Sequence, residues 1–307
     1  MNKIKFSFLF SFFSFVIFAQ QDPQYTQYMY NMSVINPAYT TSDVGILNVG
    51  LLHRNQWVGV VGAPKTSNLF LHTPINNKIE VGFSFTNDNV GDVIKENNFY
   101  GDFAYKLNLK NNQTLSFGLK TGISSLDVDF TGFELEDPSD FGFAFQNIHK
   151  TFFNIGAGIY YNTNNYYVGL SVPNLLKSQH LEETNGQYQG VEEMHWFLTG
   201  GYVFELNKQF KVKPAFMAKA VKGAPLSLDL TANILYREKV ELGIAYRIDD
   251  AISGLINFRV TRNFRIGYAY DYTTSNLGNY SSGSHEIILL FDFNISNTSR
   301  LKSPRYF

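Results

Sequence analysis

The chain has 307 residues, with 25 Lys and Arg against 26 Asp and Glu and a formal charge of −1. That balance, without a basic run, excludes a nucleic-acid-binding stripe. Cysteine is absent, which excludes disulfides and thiolate metal sites, and 29 Phe and 19 Tyr against 2 Trp make the composition aromatic in an unusual proportion.

Residues 1–19 read as a secretory signal peptide. Lys3 and Lys5 precede an apolar core, Phe6 to Phe18, and Ala19 is a small residue suited to cleavage. At 13 residues the core is too short for the roughly 20 that span a bilayer. Residues 20–45 then form a polar, aromatic segment expected to be a periplasmic plug or lid. Asp22 before Pro23 is a helix-start signal. Tyr25, Tyr28, Met29 and Met32 recur at i, i+3, i+4 and i+7, one face of a short helix. About ten helical residues are unstable alone in water, so this docking face needs a surface. The nearest is the periplasmic mouth of whatever follows. Asn36–Pro37 disfavours helix and turns the chain onward.

From Ile46 the signal becomes period-two alternation. In VELGIAYRI, Val240, Leu242, Ile244, Tyr246 and Ile248 oppose Glu241, Gly243, Ala245 and Arg247. The same reading predicts 14 strands at 46–55, 66–73, 79–86, 98–109, 114–124, 151–162, 165–173, 194–206, 209–219, 226–236, 238–248, 251–261, 263–273 and 284–293. A soluble β-sandwich or propeller would alternate too. The connections separate these folds. They are terse after even-numbered strands (TPINNK, KNNQ, NTNN, NK, E, TR) and long after strands 1, 3, 5 and 7, although those near Gly223 and Asp250 are short. Terse turns on one side and long loops on the other are the pattern of a transmembrane barrel. The fold class expected is therefore all-β: a 14-stranded antiparallel outer-membrane β-barrel over residues 46–293. An even strand count would place both termini in the periplasm, with lipid around the barrel.

The inward face of that barrel is expected to carry Asp102, Lys106, Lys120, Asp229, Arg237, Glu241, Arg247, Arg259, Arg265 and Asp271. Acids and bases are mixed, so cross-strand pairs filling the lumen are expected rather than a one-signed selectivity field. Arg54 and Gln56 fall on the same face below Trp57, a residue suited to the interface belt. Gly59, Gly62 and Pro64 shape the loop that follows, which is expected to fold partly inward and to be held by Arg54. The six histidines form neither HExxH nor HxH, and no nucleophile elbow or phosphate cradle occurs. Four acids in Gly132–Asp140 lack the glycine and ladder of an EF-hand and read as a solvated loop. No enzyme and no cofactor is expected. The last strand ends at Phe293, yet residues 294–307 continue as a basic, aromatic tail. Arg300, Lys302, Arg305, Tyr306 and Phe307 there suit either a periplasmic docking peptide or a solubilising end.

Several stretches in order resemble one family. "QYTQYMYN…INPAYT" (Gln24 to Thr40), "HRNQWVGVVGAPKTSNLFLHTPI" (His53 to Ile75), "GFSFTNDNVGD" (Gly82 to Asp92) and the ending "KSPRYF" resemble the PorP/SprF family of the type IX secretion system in Bacteroidota. The resemblance implies an outer-membrane barrel without catalytic residues. It also implies partners among the periplasmic machine components or secreted adhesins with a C-terminal secretion domain, and a part in protein secretion and gliding motility. An alternative is a FadL-type transporter of small hydrophobic compounds, which such a barrel with an N-terminal insert also resembles. A hydrolase would need a His–Ser or His–Asp constellation at the outer rim.

Overall fold

Strong alternation with little helix-forming sequence dictates a sheet, and a sheet this long escapes exposed edges by closing on itself. The computed structural model describes residues 23–40, 44–91, 93–129, 147–176, 179–182, 188–191 and 193–295. The signal segment, the acidic stretch Gly132–Asp140 and the tail from residue 296 lie outside the described residues. The strands are β1 (Ile46–Asn55), β2 (Lys65–Pro74), β3 (Ile79–Val90), β4 (Ile94–Asn108), β5 (Thr114–Val128), β6 (Ile148–Asn162) and β7 (Tyr166–Val172). A small hairpin, β8 (Gln179–Glu182) and β9 (Tyr188–Val191), precedes β10 (His195–Tyr202) and β11 (Phe204–Glu205). Then come β12 (Phe210–Val221), β13 (Ser227–Tyr236), β14 (Val240–Arg247), β15 (Ala251–Arg259), β16 (Phe264–Thr273) and β17 (Ser284–Asn294).

Neighbours in sequence pair antiparallel, β1 pairs with β17, and β10 pairs with both β7 and β12, closing the ring. The short β11 continues β10 beyond Val203 as one wall element, and the β8–β9 hairpin stands apart as its own sheet. The result is a closed 14-stranded antiparallel barrel.

The outward positions are apolar. Leu119, Leu242, Ile244, Ile252 and Ile287 are among the many large hydrophobic side chains left exposed. One sector departs from the expected strand ends. Residues 87–90 and 94–97 are strand, not loop: β3 runs to Val90, β4 starts at Ile94, and β4, β5 and β6 are each 15 residues long. At about 3.4 Å per residue these strands extend some 50 Å, so they overshoot the 8 residues of β10 and β14. The outward face of this wing changes character row by row. Phe85, Phe99, Ile123 and Phe153 lie side by side across β3–β6. The next outward row is Asn87, Asn97, Ser125 and Thr151, and the one above it Asn89, Lys95, Asp127 and His149. Hydrocarbon tolerates the first row and not the next two. The lipid boundary therefore falls between them, and the wing rises beyond it.

Turn chemistry explains one misplaced residue. Arg237 (φ 49°) and Glu238 (φ 55°) are both left-handed, and Lys239 N–H donates to Tyr236 O at 3.0 Å. This is a two-residue type I′ hairpin turn. Arg237 is thereby taken out of the strand alternation; it is exposed and lies over the Tyr236 ring at 5.1 Å, not in the lumen.

Candidate functional site

The lumen is filled by the chain's own N-terminal segment. Residues 25–33 and 35–40 are buried, and the segment threads the barrel from one end to the other. A 3-10 turn, Tyr28–Tyr30, leads into a four-residue helix α1, Met32–Ile35. The expected ten-residue helix is not formed. Barrel wall surrounds the segment on all sides, so a one-sided face gives no advantage. Tyr25, Tyr28, Met29 and Met32 are buried, but so are Gln27, Tyr30 and Asn31. The apolar plug residues share one core with the wall residues Leu52, Phe70, Tyr160, Tyr167, Phe197, Met217, Leu255 and Ile288. The segment is thus a plug inside the lumen, not a lid over a mouth.

At the long-loop end the plug is held by charge. Arg54 sits 2% exposed near the top of β1. Its guanidinium reaches Asp271 at 2.7 Å and Glu286 at 3.2 Å and donates to Thr26 Oγ1 at 3.0 Å. The Thr26 hydroxyl donates to Asp271 at 2.7 Å. Glu286 accepts the backbone N–H groups of Thr26 (2.9 Å) and Gln27 (2.8 Å). One cation faces two carboxylates here, and the plug's own amides supply the remaining donors; a buried charge set persists only when so satisfied. This latch also corrects one expectation: Arg54 holds the plug rather than the 56–64 loop. Thr26 and Gln27 lie at the long-loop end of the lumen, and β17 ends at the short-turn end.

The loop 56–64 is fixed by backbone instead. Gln56 N–H donates to Pro64 O (3.0 Å), Val58 N–H to Gly283 O (2.8 Å) and Gly91 N–H to Gly62 O (2.9 Å). Gln56 is half-buried at the base of this loop and not part of the lumen network. Trp57 is left-handed (φ 48°), half-buried, and donates its N–H to Ser284 Oγ at 3.1 Å.

Lower in the lumen the Tyr30 ring lies between the Lys213 ammonium and the Arg265 guanidinium, each 5.6 Å from its centroid. Arg265 pairs with Glu241 at 3.4 Å, which accepts from Asn233 at 2.7 Å. Cation–π contacts gain when desolvated in this way.

The opposite wall, β5–β7, receives the plug by having no side chains. Gly118 and Gly158 are cross-strand partners. A Cβ at Gly118 would run into the backbone of Pro37 and Ala38, and one at Gly158 into the Asn36 side chain. Asn36 Nδ2 donates to Ile159 O at 3.2 Å, Ser171 Oγ donates to Ile35 O at 2.9 Å, and Asn36 Oδ1 accepts Ala38 N–H at 2.9 Å. Tyr39 then packs edge-on against His72 and Tyr160, and Thr40 meets Ser116 at 3.2 Å.

The other expected lumen residues pair across strands. Asp102 meets Lys120 at 2.8 Å and Lys106 meets Glu80 at 3.2 Å. Asp229 meets Arg247 at 2.6 Å, and Arg247 also reaches Asp250 at 3.1 Å. Arg259 stands half-buried at the short-turn rim. Arg300, Lys302, Arg305, Tyr306 and Phe307 lie outside the described residues. Sequence reasoning passed over Glu286, Glu80, His72 and Lys213. Glu286 was hidden because its inward neighbours are Ile288 and Leu290, so the HEIILLFDF strand shows no polar face. At the rim, His149 pairs with Asp127 and His53 with Ser67 at 2.9 Å. Both pairs are exposed and neither has a third polar partner among the described residues. No group of three or more His, Asp or Glu converges among the described residues either.

A family model described as type IX secretion system membrane protein PorP/SprF matches residues 17–291. No curated protein matches the chain. Among solved structures, the toluene transporter TbuX of Ralstonia pickettii is similar at 11% identity and a TM-score of 0.53, covering 86% of this chain and 93% of that one. A mutant of the monoaromatic hydrocarbon channel TodX is similar at 10% identity and a TM-score of 0.51, over 86% and 94%. The monoaromatic hydrocarbon channel CymD is similar at 12% identity and a TM-score of 0.50, over 87% and 91%. At such identity these likenesses show the barrel fold alone.

Proposed function

Because the chain belongs to the PorP/SprF family of type IX secretion system membrane proteins, we propose that it is a non-enzymatic docking component of that machine in the outer membrane. In this reading it binds adhesin-type secreted cargo or machine subunits by protein–protein contact, supports their secretion or surface retention, and serves gliding motility where cargo requires it. The short turns face the periplasm, and the long loops and the wing face outward. The tail from residue 294 is a periplasmic docking peptide.

One observation carries the reading. The plug occupies the lumen from Thr26 near Arg54 to Thr40 beside Ser116, and ion pairs fill the space around it. A barrel sealed by its own chain has its rims and wing left to present to partners. The same plug weighs against the transporter alternative, since a hydrophobic solute would have to displace a latched segment. The test is mild-detergent extraction with mass spectrometry, beside a deletion strain. Secreted adhesins or periplasmic machine subunits are expected to accompany the protein, and deletion to deplete specific exported proteins from the medium. An unchanged secretome with no such companions overturns the reading. So does toluene flux through the wild-type barrel in liposomes above that of empty vesicles.

A further inference from the structure

A closed barrel has no free strand edge, yet the wing has one. β6 pairs with β5 along its whole length, Ile148 to Asn162. Its pairing with β7 covers only Ala157 to Asn162. Just above, Pro173 packs on Gly156 and Leu175 N–H donates to Ile155 O at 2.8 Å. The neighbouring chain then leaves; the β8–β9 hairpin bonds to itself in a separate sheet. From Phe153 upward, β6 has no strand beside it among the described residues.

Which backbone groups face that edge follows from strand geometry. Both groups of one residue point to the same neighbour in an antiparallel sheet. Ile155 O points away from β5, because it accepts from Leu175. Phe153, Thr151 and His149 share its parity, so each turns one N–H and one C=O to the open side. None of the three has a hydrogen bond there among the described residues. Natural edges are usually blunted by Pro, exposed Lys, a bulge or a cover; the lysine of this edge, Lys150, is half-buried and lies on the face opposite His149 and Thr151. Here the edge-pointing positions are Phe, Thr and His in a regular strand, and they lie at or beyond the row that marks the lipid boundary. Phe153 itself is 59% exposed.

We infer that this edge, His149 to Phe153, is a strand-addition site, and that its occupant is an extended segment of a secreted protein pairing antiparallel with β6. The inference rests on the docking reading above and names the surface that performs it. About five residues of partner strand would span the roughly 17 Å of open edge. Main-chain hydrogen bonds would hold it, with partner side chains alternating between the two faces of the wing. A second copy of this chain does not fit. Antiparallel pairing through one edge needs opposed strands, whereas two barrels in one membrane share an orientation.

Thr151→Pro tests this directly. Its N–H faces the open edge rather than β5, so proline removes an edge donor and obstructs pairing while leaving the β5 ladder intact. Thr151→Ala is the control. Folding is read from heat-modifiable migration of the detergent-extracted barrel. The expected result is a folded Thr151→Pro protein that loses its secreted companions about tenfold, with Thr151→Ala unchanged. Equal recovery of the same companions by wild type and Thr151→Pro overturns the strand-addition site and leaves the docking reading standing. Recovery of no secreted companion by wild type overturns both. A second measurement covers a Thr151→Pro chain that fails to fold: amide hydrogen exchange over residues 147–154 of the wild type, purified with its companions and again after they are stripped. Exchange at His149, Thr151 and Phe153 is expected to be at least about tenfold slower in the complex; equal rates reject the site. A disulfide-linked homodimer of Thr151→Cys in cells also rejects it, in favour of a second copy.

Discussion

The two walls that grip the plug do so by opposite chemistry. The β1–β16–β17 wall holds Thr26 and Gln27 with a buried charge set, Arg54, Asp271 and Glu286. The β5–β7 wall holds Asn36 to Ala38 with the absence of side chains at Gly118 and Gly158. The first is an energetic latch, whose strength lies in what happens when one partner is removed. The second is a steric seat, whose strength lies in what happens when something is added. Together they fix both ends of a segment too short to be a stable helix alone.

The largest effect is expected from breaking the latch. Arg54→Met leaves Asp271 and Glu286 buried without the guanidinium they share, with Arg247 still attracting Asp271, a change that costs about 3–5 kcal/mol at such sites. A reporter is available because the chain has no cysteine. Ser33→Cys, buried within α1, is expected to resist maleimide in the parent barrel and to label rapidly in the Arg54→Met background. Adding Glu286→Gln should restore part of the protection, since the pair is coupled. Labelling of Arg54→Met as slow as the parent would show that charge does not hold the plug.

The unequal legibility of the two walls has a physical basis. Strand alternation exposed the barrel, because side chains change face at every residue and a lipid-facing row must be apolar. It also exposed Asp229, Arg247 and Asp271, charges standing alone opposite apolar neighbours. It did not expose Glu286, since part of the inner wall is apolar where it meets the Tyr and Met side chains of the plug. Nor did it expose the glycine seat. Gly118 and Gly158 carry no side chain to read, and only the threaded segment Asn36–Ala38 gives them meaning. The plug itself showed as a segment needing a surface. Its place inside the lumen was not legible, because periodicity describes one element and not what encloses it. The wing was missed for a related reason: above the lipid boundary the outward rows become polar, so the strands of β3 to β6 resemble loops.

Filling the seat sharpens the comparison. Gly158→Val puts a β-branched residue into a regular strand, which the strand itself accommodates well. The added side chain enters the space of Asn36 and Pro37, and overpacking of this kind costs about 1–3 kcal/mol. The matched control is Gly254→Val on the outward face of β15, where a Cβ meets nothing within 4 Å. Gly158→Val is expected to keep the barrel folded by heat-modifiable migration yet to expose the Ser33→Cys reporter, with Gly254→Val indistinguishable from the parent. Protection retained in Gly158→Val would mean that the plug can rise off this wall without leaving the lumen.

The smallest effect separates the seat's shape from its hydrogen bonds. Asn36→Ala removes the donation to Ile159 O and the acceptance from Ala38 N–H while adding no bulk. Two buried bonds at about 1 kcal/mol each, one of which leaves a backbone N–H unpaired, put the loss near 1–2 kcal/mol. Reporter labelling should rise by about tenfold, well below the Arg54→Met rate, if exposure follows the opening equilibrium. Asn36→Asp keeps the acceptor for Ala38 N–H but replaces the donor with an oxygen facing Ile159 O. It is therefore expected to label faster than Asn36→Ala, because a repulsive contact is worse than an empty one. The reverse order would show that Asn36 acts by turning the chain at Pro37 rather than by bonding to β6, and the wall would then be purely steric.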